Sequence, residues 1–456
     1  MKTIFITVYD GDVEKNILQS KVLRALKQAG VRIVLLIKNG IGHNYKHYRD
    51  ANTIVEELPN SLCFSEKLFY WIGWNILPTR SIYLRRHRSY KLHRNWIRHK
   101  FGEMLGICGK SRRFRQWLRW AYAHIPDNYG EHLFEQYKPD LLFAPSMFSF
   151  EDGRLLRMAK KRGIRTITMT KSWDVLTNKA FTRVLADKIL VQNTLIRNIA
   201  IQLGDYTPRQ VEVVGFVQFD FVADPSILLP REKFFEKIGA DPDKKLILYS
   251  TSGDWKNPYD DEVVRGIHRA IEKGEILPPA QILARFHPKY SSKVERLELP
   301  FLIKYRPCES GEQVESFDSS DPRVYSFTFG ADDLADLANM LYHSDVTINT
   351  MSSITLDAIS FDKPVILICH DGINRSLPYL DSLRQAYDED HYRVIMEHHC
   401  AKVSHRMEDT VEAISAYLAD PTLDAEGRAY IREHVLYKLD GNSGARIAGA
   451  VLRSLR

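Results

Sequence analysis

The sequence is poor in cysteine and lacks long apolar runs. Its 456 residues include five cysteines, at positions 63, 108, 308, 369 and 400, and no two of them form a CxxC pair. Scattered cysteines argue against a disulfide framework or a cysteine-ligated zinc site, and they favour a reducing, cytoplasmic location. No stretch approaches the ~20 apolar residues of a membrane span, and the apolar run at residues 3–8 is too short for a signal peptide. A chain of this length is expected to form two or three globular domains.

Several common catalytic motifs are also missing. The first predicted strand is not followed by a GxGxxG dinucleotide fingerprint, and no GxSxG nucleophile elbow occurs. Acidic clusters at residues 241–243 and 388–390 lie in charged loops, and His398-His399 has no partner at a metal-ligand spacing. The sequence therefore predicts no metal site.

The positive charge is concentrated in one segment. Between Arg80 and Arg119 there are 13 Lys and Arg residues and one acid, Glu103, so this segment has a net charge of +12. The whole chain has a net charge of +7, so the rest of the chain is negative. Aromatic side chains are interleaved with the basic ones, within a predicted insertion at residues 61–125. This pattern is typical of helices that meet an anionic membrane or an acidic chain. Nucleic acid is the less favoured partner, and a solvated insertion without a partner is the third alternative.

Alternating apolar and amphipathic segments predict an α/β fold. Residues 3–8 and 31–37 are apolar runs, and residues 13–29 between them carry an apolar helical stripe that ends at Gly30. Such a βαβ unit implies a parallel sheet covered by helices. Further predicted strands span 140–144, 164–169, 188–191 and 211–214 in the first half, and 245–249, 282–286, 345–348 and 365–368 in the second.

The two series of strands predict two Rossmann-like, doubly wound domains that face each other across a cleft. A segment rich in proline and charge, residues 221–244, separates the series. We expect an N-terminal domain at 1–225, a C-terminal domain at 226–435, and a final helical segment at 436–456 that packs back on the first domain. In doubly wound sheets, ligands bind beyond the carboxyl ends of the strands.

Polar clusters follow three predicted strands of the second domain. They comprise Thr251 and Ser252, then Arg285 and His287, then Thr350, Ser352 and Ser353. Small hydroxyl side chains with one guanidinium and one imidazole at neighbouring strand ends would hold a diphosphate. Ser352 or Ser353 stands at a helix N-cap, which also suits phosphate; a capped helix without a ligand is the alternative. Asp357, one turn further, is expected either to contact a ribose or to make a polar contact facing the core.

The first domain offers carboxylates at the corresponding strand ends. Asp174 follows the predicted strand 164–169 in the run Lys171-Ser172-Trp173-Asp174. A carboxylate on a loop beside an aromatic ring is a candidate general base for an acceptor hydroxyl. The alternative is that Asp174 caps a helix over 175–185. Asp10 and Asp12, after the first strand, are the other candidates.

Several of these stretches resemble known proteins. Arg285-Phe286-His287-Pro288, and the series from Asp345 through Thr350-Met351-Ser352-Ser353-Ile354 and Asp357 to Lys363-Pro364-Val365, resemble the CDP-glycerol glycerophosphotransferase-like group. Residues 213–220 are similar to the segment that closes the first domain of many GT-B-fold glycosyltransferases. The run from Ser172 to Lys179 resembles the Ser-Trp-Asp-Asn-Leu-Thr-x-Lys of related surface-polysaccharide proteins.

This resemblance implies a GT-B fold whose C-terminal domain holds a nucleotide donor. It implies metal-independent transfer without a cofactor, with the pyrophosphate held by Arg285, His287, Ser352 and Ser353. Lys171, Trp173 and Lys179 are expected on the acceptor side. The first-domain His-Gly motif of the glycerophosphotransferases is absent, and this favours sugar transfer over glycerol phosphate transfer.

The expected function is therefore transfer of a sugar from a nucleotide-diphosphate-sugar to a glycan or lipid-linked acceptor in cell-surface polysaccharide or glycolipid assembly. The enzyme is expected in the cytoplasm, and residues 61–125 would bring it to the anionic inner face of the cell membrane. Polyol-phosphate transfer from a CDP-alcohol and epimerisation of a UDP-sugar are alternatives on the same fold. A non-catalytic protein that binds anions or nucleic acid is an alternative of a different class.

Overall fold

The computed structural model of the chain describes residues 1–59, 63–179, 181–288, 290–307, 310–313, 325–327 and 332–455. The first two residues of the predicted insertion, 61 and 62, lie outside this part of the chain. The chain forms two compact units. Unit 1 comprises Met1–Gln218 with Asn442–Arg456, and unit 2 comprises Phe219–Gly441. Each unit is built on one parallel sheet, so the predicted pair of doubly wound α/β domains is confirmed.

The sheet of unit 1 has seven parallel strands in the order β3-β2-β1-β4-β5-β6-β7. The strands are β1 (Thr3–Val8), β2 (Arg32–Lys38), β3 (Thr53–Leu58), β4 (Leu141–Ala144), β5 (Arg165–Met169), β6 (Lys188–Val191) and β7 (Val211–Val213). Every residue of β1 is buried, as expected for a central strand covered by helices on both faces. Ile4 of β1 lies opposite Ile33 of β2 and Leu141 of β4, so all three carboxyl ends reach the same edge.

Nine α-helices of unit 1 precede unit 2 in the described chain. They are α1 (Gly11–Val13), α2 (Lys21–Gln28), α3 (Phe64–Gly73), α4 (Arg80–His93), α5 (Trp96–Cys108), α6 (Arg112–Ala123), α7 (Glu131–Tyr137), α8 (Phe150–Lys161) and α9 (Thr194–Gln202). The single helix predicted over 13–29 is wrong. A π-helical turn, Glu14–Leu18, ends before Ser20, whose Oγ caps α2 by accepting a hydrogen bond from the Val22 N–H at 3.1 Å. The serine side chain competes with continuous helical hydrogen bonding and starts a new helix instead.

Helices α3 to α6 occupy the predicted insertion, and buried ion pairs connect them to the rest of unit 1. Glu66 of α3 is fully buried and lies 2.7 Å from Arg157 of α8. The same guanidinium contacts Asp127 at 2.6 Å, and the Tyr122 hydroxyl of α6 donates to Glu66 at 2.8 Å. Removing one partner of such a buried pair leaves an uncompensated charge, so this network specifies how the insertion packs.

Part of the basic charge of the insertion is structural. Arg115 and Arg119 of α6 are buried, and both contact Asp205 at 2.6 Å. The sequence pattern did not distinguish these two arginines from the exposed basic residues around them. The remaining exposed basic residues of the segment are Arg80, Arg88, Lys91, Arg94, Arg98, Lys100, Lys110, Arg112 and Arg113.

The sheet of unit 2 has six parallel strands in the order β10-β9-β8-β13-β14-β15, and β11 pairs with β12 separately. The strands are β8 (Lys245–Ser250), β9 (Ala280–Arg285), β10 (Leu302–Tyr305), β11 (Ser310–Gln313), β12 (Tyr325–Phe327), β13 (Val346–Asn349), β14 (Val365–Ile368) and β15 (Lys402–Ser404). The helices are α10 (Arg231–Ile238), α11 (Asp260–Glu272), α12 (Asp333–His343), α13 (Ile354–Ser360), α14 (Arg393–Glu397), α15 (Met407–Ala419) and α16 (Ala425–Tyr430).

The last helix, α17 (Ser443–Arg453), belongs to unit 1. Its apolar face joins the core formed by β1, β2 and α2 through Ile447, Ala448, Ala450 and Val451. Arg446 Nε donates to the Val214 carbonyl at 2.8 Å, which holds the start of α17 beside the end of β7. None of the helices in the described chain is both long and apolar enough to cross a membrane.

Candidate functional site

In unit 2, three neighbouring strands bring polar residues to one edge of the sheet. Ser250, the last residue of β8, lies opposite Arg285 of β9 on one side and Asn349 of β13 on the other. The chain leaves these strands at Thr251, Phe286 and Thr350. Parallel strands end on the same side, so the segments that follow them meet there.

Hydrogen bonds connect the three segments. The hydroxyls of Ser252 and Thr350 are hydrogen-bonded to each other. The Thr251 N–H donates to the Arg285 carbonyl at 3.0 Å, and the Thr251 Oγ1 accepts from the His287 N–H at 3.2 Å. We call these five residues the hydroxyl cluster. We call its three buried hydroxyl residues the floor of the cluster. Arg285 and His287 are half-buried and meet this floor through the backbone carbonyl of Arg285 and the backbone N–H of His287.

A buried acid that sequence reasoning missed supports this floor. Asp260, at the start of α11, accepts from the Tyr249 hydroxyl at 2.7 Å, the Ser252 N–H at 3.1 Å and the Asn257 amide at 2.6 Å. Burial raises the pKa of Asp260 to about 7, and the hydrogen bonds it accepts oppose that shift. In the sequence, Asp260 is the first of three consecutive acids, a pattern that equally describes an exposed first turn of a helix.

Gly253 allows the loop after β8 to close. Its φ is +79°, and a Cβ at this position would lie 2.3 Å from the Cβ of Tyr290. The Tyr290 ring in turn lies 4.6 Å from the His287 ring, measured between centroids. Glycine is required here by both the left-handed backbone and the close approach, and this fixes the loop against the segment that carries His287.

The start of α13 has Ser353 as its N-cap, so the position predicted for Ser352 or Ser353 is confirmed. Ser353 is exposed and has helical backbone angles (φ −65°, ψ −20°), and its side chain makes no cap hydrogen bond in the described chain. N-cap residues that accept through their side chains typically have an extended backbone, which explains why this bond is not made. Ser352 is half-buried, and its carbonyl accepts from the Thr355 N–H at 3.3 Å. Asp357 is half-buried in the first turn of α13, and a ribose contact by this residue stays a prediction.

In unit 1, the corresponding edge carries ion pairs. Lys171, after β5, lies 2.8 Å from Asp10 and 3.5 Å from Asp12, both after β1. Asp10 also caps α1, because its Oδ1 accepts from the Val13 N–H at 2.9 Å. Burial alone would lower the pKa of Lys171, but the carboxylates of Asp10, Asp12 and Asp174 raise it above its ordinary value. This lysine therefore stays charged.

Asp174 is also paired. Its carboxylate accepts from the Ser172 hydroxyl and lies 3.2 Å from Lys179 Nζ. Its backbone carbonyl accepts from the Asn178 N–H at 2.9 Å, at the start of the π-helical turn Val175–Lys179. That five-residue turn replaces the longer helix expected over 175–185. Trp173 is 9% exposed and packs mostly inside the unit.

We call Asp10, Asp12, Lys171, Asp174 and Lys179 the ion-pair cluster. It holds carboxylates in fixed positions beside cations at the carboxyl edge of the sheet. Such a group can accept a proton from a hydroxyl that approaches Asp174 and can orient that hydroxyl through the neighbouring ammonium groups. The structure thus brings the predicted acceptor-side residues Lys171 and Lys179 to the candidate base, whereas Trp173 is largely buried.

The insertion of unit 1 presents an apolar surface beside its exposed basic residues. Ten of the 16 exposed large apolar side chains of the described chain lie between residues 64 and 120. They are Phe64, Leu68, Leu92, Trp96, Ile97, Phe101, Met104, Ile107, Trp117 and Trp120. Large apolar side chains concentrated in one segment of a protein mark a binding surface more often than scattered ones do.

No family model and no curated protein matches the sequence. Solved structures do match over nearly the whole chain. A putative UDP-N-acetylglucosamine 2-epimerase from Listeria monocytogenes is 11% identical, with a TM-score of 0.54 over 99% of this chain and 95% of that one. A glycosyltransferase from Rickettsia africae ESF-5 is 12% identical, with a TM-score of 0.51 over 99% of both chains.

MnaA of S. aureus, solved in a co-structure with UDP, is 14% identical, with a TM-score of 0.51 over 99% of this chain and 96% of that one. At these identities the likeness shows the fold, which is that of the GT-B type expected from the sequence. None of these three structures represents the CDP-glycerol glycerophosphotransferase-like group, and that part of the resemblance stays a prediction.

Proposed function

We propose that this chain is a metal-independent glycosyltransferase of the GT-B type. It transfers a sugar from a nucleotide-diphosphate-sugar to a hydroxyl of a glycan or lipid-linked acceptor, in the assembly of cell-surface polysaccharide or glycolipid. The observation that carries the proposal is the hydroxyl cluster. It joins Arg285 and His287 to three buried hydroxyl residues at the strand edge where doubly wound sheets bind ligands.

The donor's diphosphate is assigned to unit 2. As the bond from the anomeric carbon to the diphosphate oxygen breaks, negative charge develops on that oxygen. The Arg285 guanidinium and the His287 imidazole stabilise this charge, and donors held in fixed positions act without reorganisation during the reaction. Ser352, Ser353 and Asp357 extend the donor site towards α13. The Asp260 carboxyl group holds the loop after β8 by accepting a hydrogen bond from the Ser252 N–H at 3.1 Å.

The acceptor is assigned to unit 1. The Asp174 carboxylate takes the proton of the acceptor hydroxyl while that oxygen attacks the anomeric carbon. Lys179, 3.2 Å from Asp174, and the Ser172 hydroxyl hold the carboxylate in one orientation. Asp10 is the second candidate base, and the carboxylates of both residues have partners. The ion pair of Asp10 with Lys171 is shorter, at 2.8 Å, and Lys171 is 20% exposed, whereas Lys179 lies 3.2 Å from Asp174 and is 41% exposed. Protonating Asp10 would therefore give up the stronger ion pair, and Asp174 is the better assignment.

The insertion is assigned to a membrane surface carrying anionic lipid. Exposed tryptophans at 96, 117 and 120 would enter the interface, while exposed basic residues would contact headgroups. This binding would place the enzyme in the cytoplasm, on the inner face of the cell membrane, next to a lipid-linked acceptor.

Epimerisation of a UDP-sugar is the second candidate, since solved structures with the same fold carry the name UDP-N-acetylglucosamine 2-epimerase. The two reactions differ in their need for an acceptor. An epimerase converts the nucleotide-sugar alone, whereas a transferase releases the nucleoside diphosphate only when an acceptor or water takes the sugar.

Thermal shift against UDP-, GDP-, CMP- and CDP-linked sugars and polyols tests the proposal. One nucleotide-sugar should stabilise the protein, by about 2.7 kcal/mol at 100 times its dissociation constant. Incubation of that compound with and without candidate acceptors then separates transfer from epimerisation. If none of the compounds stabilises the protein and RNA binds tightly in a salt-dependent manner, the transferase proposal is wrong.

Vesicle sedimentation tests the membrane assignment. The protein should bind vesicles containing anionic lipid and should bind neutral vesicles much less. Replacing Trp96 and Ile97 with glutamate should reduce binding, because both side chains are more than 60% exposed on the insertion. Leu277→Glu is the matched control, since Leu277 is 65% exposed on unit 2 and should leave binding unchanged. Equal loss in both variants would refute the assignment.

A further inference from the structure

Two helices of the insertion bring two imidazoles and one carboxylate together. The candidate ligand atoms of His87, on α4, and of His99 and Glu103, on α5, all lie within 4.8 Å of one another. His99 Nε2 is 3.3 Å from Glu103 Oε1, and the rings of His87 and His99 are 5.0 Å apart between centroids. Ligands of a tetrahedral zinc ion, each about 2.1 Å from the metal, lie about 3.4 Å apart. Small side-chain rotations would therefore close the site.

We infer that His87, His99 and Glu103 bind one divalent first-row transition metal ion, of which Zn²⁺ is the representative, and that this ion joins α4 to α5. The inference goes beyond the proposed sugar transfer, in which the metal takes no part. His99 and Glu103 are four residues apart, so they project from one face of α5. His87 supplies the third ligand from the neighbouring helix.

The backbone packing holds the two helices in the register that the site needs. Arg86, beside His87, donates from Nη1 to the Asn75 carbonyl at 2.8 Å and to the Gly102 carbonyl at 3.0 Å. A Cβ at Gly102 would lie 2.8 Å from Asn75 Oδ1, and one at Gly106 would lie 2.6 Å from Arg86 Nη1. The two glycines thus let α5 approach α4 closely, and Arg86 fixes His87 opposite His99.

A buried nitrogen at the site lacks a protein partner. The His99 side chain is 7% exposed, and its Nδ1 makes no hydrogen bond within the described chain. Buried polar atoms without a partner are uncommon in proteins. A metal on one ring nitrogen with water on the other, or a metal on Nδ1 itself, would satisfy this imidazole. This observation points to a ligand independently of the distances between the three side chains.

The donor set and the surrounding charge select the kind of ion. Two imidazoles with one carboxylate suit Zn²⁺, Co²⁺, Ni²⁺ or Cu²⁺, whereas Mg²⁺ and Ca²⁺ prefer oxygen ligands. Lys100 lies 2.8 Å from Glu103 Oε2, and the segment as a whole is strongly basic. Positive surroundings repel an ion held by charge alone, so only an ion that forms strong bonds to imidazole nitrogen would stay. Three protein ligands leave a fourth position for water.

The sequence did not reveal this site, because His87 and His99 are twelve residues apart on different helices with a turn at Arg94 between them. The site lies within the insertion that carries the exposed apolar surface. A bound ion would therefore hold two helices of that surface together.

Zinc titration of the metal-free, full-length protein in competition with a chromophoric chelator tests the inference. The protein should bind one equivalent, and zinc should raise its thermal midpoint. His87→Ala and His99→Ala should each weaken binding at least about tenfold, since losing a ligand costs no less than losing an outer-shell partner. His93→Ala is the matched control, because His93 is exposed on the same helix α4 and outside the site.

Two further measurements make the outcome decisive. Cobalt in place of zinc should give visible absorption without the strong near-ultraviolet band of a thiolate ligand, which separates this site from the exposed Cys63 and the half-buried Cys108. If His99→Ala fails to fold, Glu103→Gln replaces it, since Glu103 is 32% exposed. Binding that is absent in the wild type, unchanged in the ligand variants or carried by thiolate would overturn the inference.

Discussion

The sheet of unit 2 ends in hydroxyl side chains that hydrogen-bond one another, whereas the sheet of unit 1 ends in carboxylates paired with lysines. Each edge is the carboxyl edge of a parallel sheet, so their different chemistry comes from the residues at and after the strand ends. An edge of hydroxyls with one guanidinium and one imidazole suits an anion. An edge of fixed carboxylates suits a group that gives up a proton.

This contrast divides the proposed reaction between the units. In that proposal, the hydroxyl cluster would lower the energy of a departing diphosphate, and the ion-pair cluster would take a proton from the acceptor. A change in the ion-pair cluster of unit 1 should therefore lower turnover with little effect on donor affinity. A change in the hydroxyl cluster of unit 2 should lower donor affinity first.

The largest effect is expected at Asp174. Asp174→Asn keeps the size of the side chain but removes the base, so kcat should fall by about 100- to 10,000-fold while donor affinity stays within about twofold. Steady-state kinetics and calorimetric titration with the donor measure the two quantities. Asp12→Asn is the matched control, since Asp12 lies in the same cluster, 3.5 Å from Lys171, and the proposed mechanism assigns the base to Asp174 instead. Wild-type turnover in Asp174→Asn would remove the assignment of the base.

The next effect is expected at Arg285. Arg285→Ala removes a charged donor to the diphosphate, and such bonds contribute about 1.5–3 kcal/mol, so donor affinity should fall about 10- to 100-fold. Calorimetric titration with the nucleoside diphosphate measures the loss. Lys304→Ala provides the comparison on the neighbouring strand β10, where Lys304 is exposed and paired with Glu298 at 2.6 Å. Equal losses in the two variants would show that the effect comes from general charge.

A smaller effect concerns the buried acids Asp152 in unit 1 and Asp260 in unit 2. Burial raises the pKa of each from 3.8 to about 7, and at Asp260 the hydrogen bonds from Tyr249, Ser252 and Asn257 oppose the shift. Each folded acid therefore keeps a proton that the unfolded chain has released. Consequently, the stability contributed by that proton is present below about pH 4 and is lost as the pH rises towards about 7.

The two acids differ in the hydrogen bonds that they accept, so replacing each with asparagine should change stability differently. Neither oxygen of Asp152 has a hydrogen-bond partner in the described chain, whereas Asp260 accepts three hydrogen bonds. Asp152→Asn should flatten the fall in stability between about pH 4 and 7 and should be more stable than the wild type at about pH 8. Asp260→Asn should lose about 1–3 kcal/mol, because an amide NH₂ would face hydrogen-bond donors. Urea unfolding at several pH values measures the free energy of unfolding of both variants. A loss of stability in Asp152→Asn together with a gain in Asp260→Asn at pH 8 would contradict these assignments.

The smallest effect is expected at Ser353. Its side chain makes no cap hydrogen bond, so Ser353→Ala should change the free energy of unfolding by less than about 0.5 kcal/mol. Ser149 caps α8 in unit 1 by accepting from the Asp152 N–H at 2.9 Å, and Ser149→Ala should cost about 1 kcal/mol. Thermal unfolding compares the two variants. A larger loss at Ser353 than at Ser149 would show that the start of α13 is capped through its side chain after all.

The sequence predicted the inner strands well and the outer strands poorly. Strands such as β1 and β8 are continuous apolar runs because helices cover both of their faces. The three strands of the main sheets that it missed, β3, β10 and β15, lie at sheet edges. There the side chains are mixed, as in Glu56 and Glu57 of β3, and an apolar pattern no longer marks the strand.

The parts of the candidate site that lie at strand ends could be predicted from the sequence. The parts that depend on contacts between side chains could not. Thr251, Arg285 and Thr350 were found because each lies at or just after the end of a recognisable strand. Arg115 pairs with Asp205, 90 residues away along the chain, and residue type alone does not reveal such a contact. Asp260 contacts residues that are near in sequence, but its burial depends on how the start of α11 packs against the end of β8. Single residues such as Ser353 depend on backbone angles that the sequence leaves open.

Helix α17 affects the order in which the two units can complete folding during synthesis on the ribosome. Unit 1 starts first, yet its core lacks Ile447, Ala448, Ala450 and Val451 until the last helix has been synthesised. Unit 2 lies between residues 219 and 441, so all of its residues are available earlier. Because domains fold as units when their chain is available, the domain that begins the chain is expected to be the last to finish folding.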